Sequence, residues 1–194
     1  MKIAITGHSK GIGQALANKL QDMGHTIVGF SRSNGYDVTA PGVIEKIVLQ
    51  SAECDMFINN APGKYAQAEL VYEMANQWQG QQKTIVCITS RMAVSWTVKH
   101  PELGYRNTKK ALDLAVEHVR NMWSWPRVCL VRPPSINTER SAWVGKQLNA
   151  INNNNLPEGD NGFKQMEPDE FADILVPVLF HKRIFTNEIW ISAV

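Results

Sequence analysis

The chain has 194 residues, of which 44% are hydrophobic and 20% charged, and its formal net charge is +2. Its length and apolar content allow one domain with a sizeable core and exclude a second domain of ordinary size. The near-neutral charge argues against a nucleic-acid or membrane-surface partner, and the five histidines lack metal-ligand spacing, so we expect no metal. The three cysteines, odd in number and set in apolar segments, favour a reducing compartment and a cytoplasmic location.

Apolar runs and amphipathic segments alternate along the chain. Strands are predicted at residues 2–6, 25–30, 55–58, 84–89, 127–131 and 188–192. Helices are predicted at residues 11–23, 43–49, 69–78, 105–122 and 168–180. The strands are nearly continuous apolar runs, which is typical of a parallel sheet covered on both faces. The sequence therefore predicts an α/β fold: a single doubly wound domain over residues 1–194, with a mainly parallel sheet flanked by helices on both faces.

A glycine-rich segment, TGHSKGIG, joins the first predicted strand to the first predicted helix. Gly7 and Gly11 permit a tight turn and a close approach of backbone to a ligand, while Gly13 lets the helix pack against the strand. The helix N-terminus then offers N–H groups to a pyrophosphate. The position of this segment favours a cofactor-phosphate site over an ordinary glycine-rich turn. Its residues are Gly7, Ser9, Lys10, Gly11, Ile12 and Gly13.

Tyr105 and Lys109 lie four residues apart at the start of the longest predicted helix, so they share one helical face. A free tyrosine titrates near pH 10, and an ammonium one turn away lowers that pKa. The pair therefore has the chemistry of a general acid/base for a carbonyl or alcohol oxygen. By itself this spacing is also common on exposed helix faces. Here it follows the 84–89 strand, at the carboxyl edge of the predicted sheet, which favours catalysis.

With these two motifs, the sequence resembles the short-chain dehydrogenase/reductase family over about residues 1–140. TGHSKGIG matches the family pattern TGxxxGxG, and Tyr105 with Lys109 matches its YxxxK. The resemblance implies a Rossmann-like fold, a nicotinamide cofactor and a small-molecule carbonyl or alcohol substrate. It also implies a homodimer or homotetramer formed through the 69–78 and 105–122 helices, and a contact of Lys109 with the nicotinamide ribose.

Ser90, at the end of the 84–89 strand, resembles the family serine that donates a hydrogen bond to the substrate oxygen. Thr89 and Ser95 are the alternatives for this role. The family's fourth catalytic residue, an asparagine, has no clear counterpart here. Asn76 is the one asparagine in the 69–78 helix, and we interpret it as a solvated helix residue. A proton relay through such an asparagine is therefore either missing or rebuilt with water.

The end of the second strand indicates which nicotinamide cofactor is used. A carboxylate at this place suits the ribose hydroxyls of NAD, whereas arginine binds the 2′-phosphate of NADP. Here Ser31 and Arg32 follow the strand, and Lys10 lies in the glycine loop, at a position that often serves the 2′-phosphate in the family. Each cation taken singly is also typical of a solvated surface. Together they favour NADP(H), with NAD(H) also possible.

The resemblance assigns further cofactor contacts. Asp37 and Val38 resemble the family's pair beside adenine, and the alternative for Asp37 is to cap a turn. Asn60 and Ala61 belong to a segment that resembles Asn-Asn-Ala-Gly, and they either contact ribose or tie strands together. Residues 127–138 resemble the family's sixth-strand ending, which contacts the nicotinamide. The positions concerned are Pro133, Ile136 and Thr138.

The segment 141–166 contains a run of asparagines and is predicted to form a loop, either a mobile substrate lid or an ordinary loop. The complete pattern predicts an NADP(H)-dependent oxidoreductase that interconverts a carbonyl and an alcohol by hydride transfer. The alternative is a non-enzymatic NADP(H)-binding regulator that senses redox state. The Tyr105, Lys109 and Ser90 set favours the enzyme, since a sensor needs no proton donor.

Overall fold

The computed structural model describes residues 1–94, 104–151, 165–181 and 185–192, and these residues form an α/β fold. The strands are β1 Lys2–Thr6, β2 Thr26–Phe30, β3 Met56–Asn59, β4 Thr84–Ile88, β5 Arg127–Arg132, β6 Ser135–Ile136, β7 Gln165–Met166 and β8 Glu188–Trp190. The helices are α1 Gly11–Asp22, α2 Val43–Ser51, α3 Ala66–Gln77, α4 Tyr105–Met122, α5 Glu139–Ile151 and α6 Pro168–Leu179. The predicted fold class is confirmed.

The main sheet is parallel, with strand order β2-β1-β3-β4-β5-β8, and β6 pairs separately with β7. The order reverses beside β1, since β2 lies on one side of it and β3 on the other. A crevice at the carboxyl ends of the strands is expected at such a reversal. The segments after β1, β3, β4 and β5 all leave the sheet at this edge, so four of the predicted site segments meet there.

The core lies on both faces of the sheet because side chains alternate along each buried strand. Ile3 and Ile5 face the layer formed by α1 and α6, whereas Ala4 faces the layer formed by α2, α3 and α4. The three cysteines are buried and free, as their apolar settings predicted. Within the described ranges, no helix combines the length and the hydrophobicity that a bilayer crossing requires.

The predicted bounds of α4 are confirmed, whereas the start of α3 and the 141–166 segment differ from expectation. Helix α3 begins at Ala66, three residues before the predicted start, and so includes Gln67 in its first turn. The first part of the predicted 141–166 loop is helix α5, and residues 152–164 lie outside the described residues. The start of α5 is stabilised by reciprocal caps, because Thr138 N donates to Ser141 Oγ at 2.8 Å and Ser141 N donates to Thr138 Oγ1 at 3.2 Å.

Candidate active site

The glycine loop after β1 needs its glycines for two separate reasons. Gly7 has a φ of +72°, in the left-handed region that side chains disfavour. A Cβ on Gly13 would lie 2.1 Å from the Gly7 carbonyl oxygen, so any larger residue would displace the turn. The turn is also tied to β2, because Gly7 N donates to Phe30 O at 2.6 Å. The backbone is therefore held close around the start of α1.

The first turn of α1 has the character of an anion site. Lys10 is the N-cap residue, and in the part of the chain that the structure describes no side chain caps this helix and no acid lies in its first turn. The N–H groups of Gly11, Ile12 and Gly13 therefore keep their affinity for an anion, and the helix dipole adds to it. Together with the glycine cradle, this arrangement fits the pyrophosphate of a dinucleotide. Ser9 lies half-buried in the same loop.

The chain after β5 lies directly against the glycine loop. Thr138 Cγ2 is 3.1 Å from the point that a Cβ on Gly11 would occupy. Pro133 is half-buried, and Ile136 is buried in the apolar cluster on the α1 and α6 face. The predicted nicotinamide segment therefore reaches the predicted pyrophosphate turn.

The residues after β2 form a short, internally bonded turn. The Ser31 hydroxyl lies 2.8 Å from Ser33 Oγ and donates to Asn34 Oδ1 at 3.2 Å, so it is engaged locally. Arg32 is exposed in the same turn. The end of β2 therefore presents the exposed guanidinium of Arg32, and residues 31–34 contain no carboxylate.

Lys10 makes an ion pair with Glu139 at the start of α5. The Lys10 ammonium is 3.0 Å from one Glu139 carboxylate oxygen, and the two side chains are 73% and 80% exposed. An exposed pair of this kind contributes at most about 1 kcal/mol. A doubly charged phosphate would therefore compete effectively with Glu139 for Lys10.

Asp37 caps a turn, which was the alternative to an adenine contact. Its Oδ1 accepts from Thr39 N at 3.0 Å and from Thr39 Oγ1 at 2.8 Å. These two hydrogen bonds, the backbone one first, lower the pKa of the Asp37 carboxyl. Val38 is buried, and a Cβ on Gly63 would lie 2.6 Å from its Cγ2. Val38 therefore packs closely on the segment that follows β3.

Asn60 and Ala61 tie β3 to β1. Asn60 Nδ2 donates to Thr6 O at 3.0 Å and to Gly7 O at 3.4 Å. The backbone N–H groups of Asn60 and Ala61 donate to Thr6 Oγ1 at 2.9 and 3.0 Å. These contacts agree with the alternative in which the two residues connect the strands. They also hold the start of the glycine loop in place, since Asn60 binds the Gly7 carbonyl.

Tyr105 and Lys109 lie together at the start of α4. The Lys109 Nζ is 5.7 Å from the centroid of the Tyr105 ring, and the lysine is only 4% exposed. Burial, and after it the charge of Arg140, lowers the pKa of Lys109 from 10.5 to about 7. A charged ammonium at this distance would favour the phenolate of Tyr105, which is the effect that the predicted pair needs.

The Lys109 ammonium donates to two acceptors that the sequence did not reveal. It donates to Gln67 Oε1 at 2.6 Å and to Ile88 O at 3.0 Å, which uses two of its three N–H groups. Gln67 lies on the buried face of α3, with Leu70 and Val71 at helical spacing after it. A polar residue within such an apolar stripe was the available signal. Asn76, by contrast, is exposed, as predicted.

Ser90 starts the short helical turn 91–93, which packs against α4. Its Oγ accepts from Met92 N at 3.2 Å, and its carbonyl accepts from Arg132 at 3.3 Å. The alternative Thr89 is buried, and its hydroxyl donates to Asp113 Oδ1 at 2.7 Å. The alternative Ser95 lies outside the described residues.

A buried ion pair stabilises the sheet edge beside Ser90. Arg132 NH1 lies 2.9 Å from Asp113 Oδ2, and the two side chains are 5% and 8% exposed. The N–H does not point at this oxygen, so the attraction is mainly Coulombic. Arg132 also pairs with Glu188 on β8. Sequence reasoning missed this pair, although each member is a charge within an apolar segment.

Arg140 places a second cation at Tyr105. Its guanidinium carbon is 5.1 Å from the centroid of the Tyr105 ring. A cation at this distance interacts favourably with the ring face. The start of α5 therefore contributes directly to the electrostatics of the predicted catalytic pair.

Sequence comparison gives no relative, because no protein-family model matches the chain and no curated protein matches it significantly. Solved structures do match. The 3-alpha-hydroxysteroid dehydrogenase from Pseudomonas sp. B-0831, complexed with NADH, has a TM-score of 0.76 at 19% identity, covering 99% of this chain and 95% of that one. A short-chain dehydrogenase from Burkholderia cenocepacia J2315, in complex with NADP, has a TM-score of 0.73 at 17% identity, covering 99% and 88%.

L-sorbose reductase from Gluconobacter frateurii, complexed with NADPH and L-sorbose, has a TM-score of 0.68 at 19% identity, covering 98% of this chain and 95% of that one. These similarities extend over nearly the whole length of both partners. At such identities they establish the architecture rather than the activity. The chain therefore has the Rossmann fold of the short-chain dehydrogenases and reductases.

Proposed function

We propose that this protein is an oxidoreductase that interconverts a carbonyl and an alcohol with a nicotinamide cofactor, NADP(H) in preference to NAD(H). The observation that carries the proposal is the pairing of Tyr105 with the buried Lys109 at the carboxyl edge of the parallel sheet. The same edge holds a glycine turn shaped for a pyrophosphate. A proton donor and a dinucleotide cradle are the two parts that this reaction needs.

The chain's own residues would bind the cofactor at three places. Gly7, Gly11 and Gly13 shape the cradle, and the first turn of α1 neutralises the pyrophosphate charge. The segment after β5, with Thr138 against Gly11, lies where the nicotinamide half would extend. When bound, the cofactor would supply the hydride in reduction and accept it in oxidation, and the protein supplies orientation and proton transfer.

Proton transfer is the task of Tyr105. In the direction of reduction its hydroxyl donates a proton to the substrate oxygen, and in the direction of oxidation its phenolate accepts that proton. The charges of Lys109 and Arg140, both close to the ring, stabilise the phenolate. We assign to Ser90 the second hydrogen bond to the substrate oxygen, which polarises the carbonyl.

The preference for NADP(H) is supported by the residues around the glycine loop. Arg32 is exposed after β2, and residues 31–34 carry no acid that would repel a 2′-phosphate. Lys10 is paired with an exposed carboxylate, which a phosphate can replace. The similar solved structures include complexes with NADP and NADPH as well as with NADH.

We further propose that the protein is a cytoplasmic homodimer or homotetramer. The three free thiols are consistent with a reducing compartment. Leu114 on α4 is 54% exposed, although it is large and apolar, which suits a surface that another copy covers. Light scattering after size exclusion at micromolar concentration tests this assembly, and a monomer alone would contradict it.

The proposed activity is tested with purified protein, NADPH or NADH, and a panel of small ketones, aldehydes and quinones. Fluorescence titration gives the dissociation constants, and nicotinamide absorbance gives turnover. We expect tighter binding of NADPH and, for Tyr105→Phe, a fall in kcat of at least about 100-fold with cofactor affinity changed less than about twofold. Tyr65→Phe, at an exposed tyrosine, is the matched control.

Two outcomes would contradict the proposed enzyme. Full activity in Tyr105→Phe would remove the proton donor from the mechanism. Tight NADPH binding without turnover of any substrate in the panel would instead support the redox-sensing regulator.

A further inference from the structure

We propose that Gln67 is a positioning residue that holds the Lys109 ammonium in its working place beside Tyr105. This inference rests on the proposed function. Gln67 is 4% exposed, and its Oε1 accepts from Lys109 Nζ at 2.6 Å. A hydrogen bond from a charged donor at this distance is among the stronger ones in proteins.

The surroundings fix which way the Gln67 amide points. Its Nε2 donates to Asn59 O at 2.9 Å and to Ile88 O at 3.2 Å. A reversed amide would set its NH₂ against the ammonium of Lys109 and its oxygen against two carbonyl oxygens. Only the observed orientation satisfies all of these groups, so an acceptor necessarily faces Lys109.

Gln67 is in turn anchored to the sheet. Asn59 Nδ2, at the end of β3, donates to the Gln67 backbone oxygen at 2.7 Å, while the Gln67 side chain donates back to Asn59 O. This reciprocal pair connects the first turn of α3 to the carboxyl edge of the sheet. The position of Lys109 is therefore set from β3 through Gln67, as well as by its own helix.

A neutral acceptor suits the task of Lys109 better than a carboxylate does. The Gln67 amide orients the ammonium without cancelling its charge, so the charge still acts on Tyr105. Among the described residues, Gln67 and Ile88 take two of the three N–H groups, which leaves one that we assign to the tyrosine or to a ribose hydroxyl. The other groups that act electrostatically on Lys109 are Arg140, Cys87 and Asp113. A substitution at Gln67 that changes charge thus changes the protonation of Lys109 directly.

The test compares Gln67→Met, Gln67→Glu and the control Gln77→Met, which lies exposed on the same helix. The pKa of Lys109 is measured by NMR of lysine labelled at Cε, and pH profiles of kcat are recorded beside it. We expect the Met variant to lower this pKa and the Glu variant to raise it, each by at least about one unit. The pH at which activity changes should move in the same two directions, with Gln77→Met unchanged.

A purely structural role predicts a different pattern. It would destabilise both Gln67 variants and move the Lys109 pKa in the same direction in both, or in neither, and this result would overturn the proposal. If neither variant folds, an NMR titration of the wild-type protein provides the test. The Gln67 side-chain amide resonances should titrate with the same pKa as Lys109 Cε, and independent titration would overturn the proposal.

The design separates this inference from the proposed function, because the pKa measurement requires no substrate. Opposite shifts of the Lys109 pKa in the two Gln67 variants, together with no turnover by the wild-type protein, would leave the Gln67–Lys109 linkage standing and remove the enzyme. Normal turnover by the wild-type protein, with the Lys109 pKa unshifted in both Gln67 variants, would keep the enzyme and remove the Gln67–Lys109 linkage.

Discussion

Replacing Lys109 by methionine should change the pH dependence of stability in a way that the buried ammonium dictates. Lys109 is almost fully enclosed, so its charged form has lost most of its hydration. Methionine has a similar length but no charge. The difference in free energy of unfolding between the wild type and Lys109→Met therefore isolates the titration of this one group.

The expected magnitude follows from the two pKa values. Burial is the main cause that lowers the pKa of Lys109 from 10.5 to about 7 in the folded protein. Between these values the unfolded chain binds more protons than the folded one, so stability increases as pH rises. The destabilising contribution of the ammonium is complete below pH 7 and is relieved above it. From pH 7 to pH 9 the wild type should gain about 2 kcal/mol relative to Lys109→Met.

The measurement is urea denaturation at several pH values between 7 and 9, under reducing conditions, followed by tryptophan fluorescence. The buried thiols also titrate on unfolding in this range, but they do so in every variant and cancel in the difference. Lys110→Met, at the exposed neighbouring position, serves as the control. Its free energy of unfolding should change with pH as that of the wild type does. A constant difference between the wild type and Lys109→Met would refute the desolvation argument.

Two further substitutions test the cradle and the buried ion pair. Gly13→Ala places a Cβ against the Gly7 carbonyl, so fluorescence titration should show at least about 100-fold weaker NADPH binding. In the control Gly104→Ala, no atom of the described residues lies within 4 Å of the added Cβ, and equal affinity in the two variants would refute the packing argument. Asp113→Ala removes one of the two acidic partners of Arg132 and leaves Glu188. Urea denaturation should show a free energy of unfolding that is lower by about 3 kcal/mol. A loss below about 1 kcal/mol would mean that Glu188 alone compensates the Arg132 charge.

The sequence predicted those parts of the fold that depend on local patterns. Helix α4 has strong amphipathic spacing, and its predicted bounds agree with the structure. Helix α5 was missed because its composition is polar and includes Gly145, so its apolar face is weak. Strands β6 and β7 have two residues each, which is too short for any periodicity to show.

The same division applies to the site. The glycine turn and the YxxxK pair are contiguous motifs, so the sequence was sufficient to propose Gly13, Tyr105 and Lys109 as site residues. The contact of Gln67 with Lys109 joins residues 42 positions apart, and no local pattern encodes it. The contact of Arg140 with Tyr105 is also non-local and depends on α5, the helix that was not predicted.

The buried charges close to Lys109 include the ion pair of Asp113 with Arg132. Asp113 lies one turn after Lys109 on the same helical face, and its charge raises the pKa of the lysine. In the proposed mechanism, a carboxylate bound to the ammonium would offset the charge that acts on Tyr105. Asp113 is already engaged elsewhere, because Arg132 lies 2.9 Å from one of its carboxylate oxygens and Thr89 donates to the other. In the proposed chemistry the buried ion pair would therefore act indirectly: it keeps near Lys109 an acid that opposes part of the desolvation effect and is already paired with Arg132.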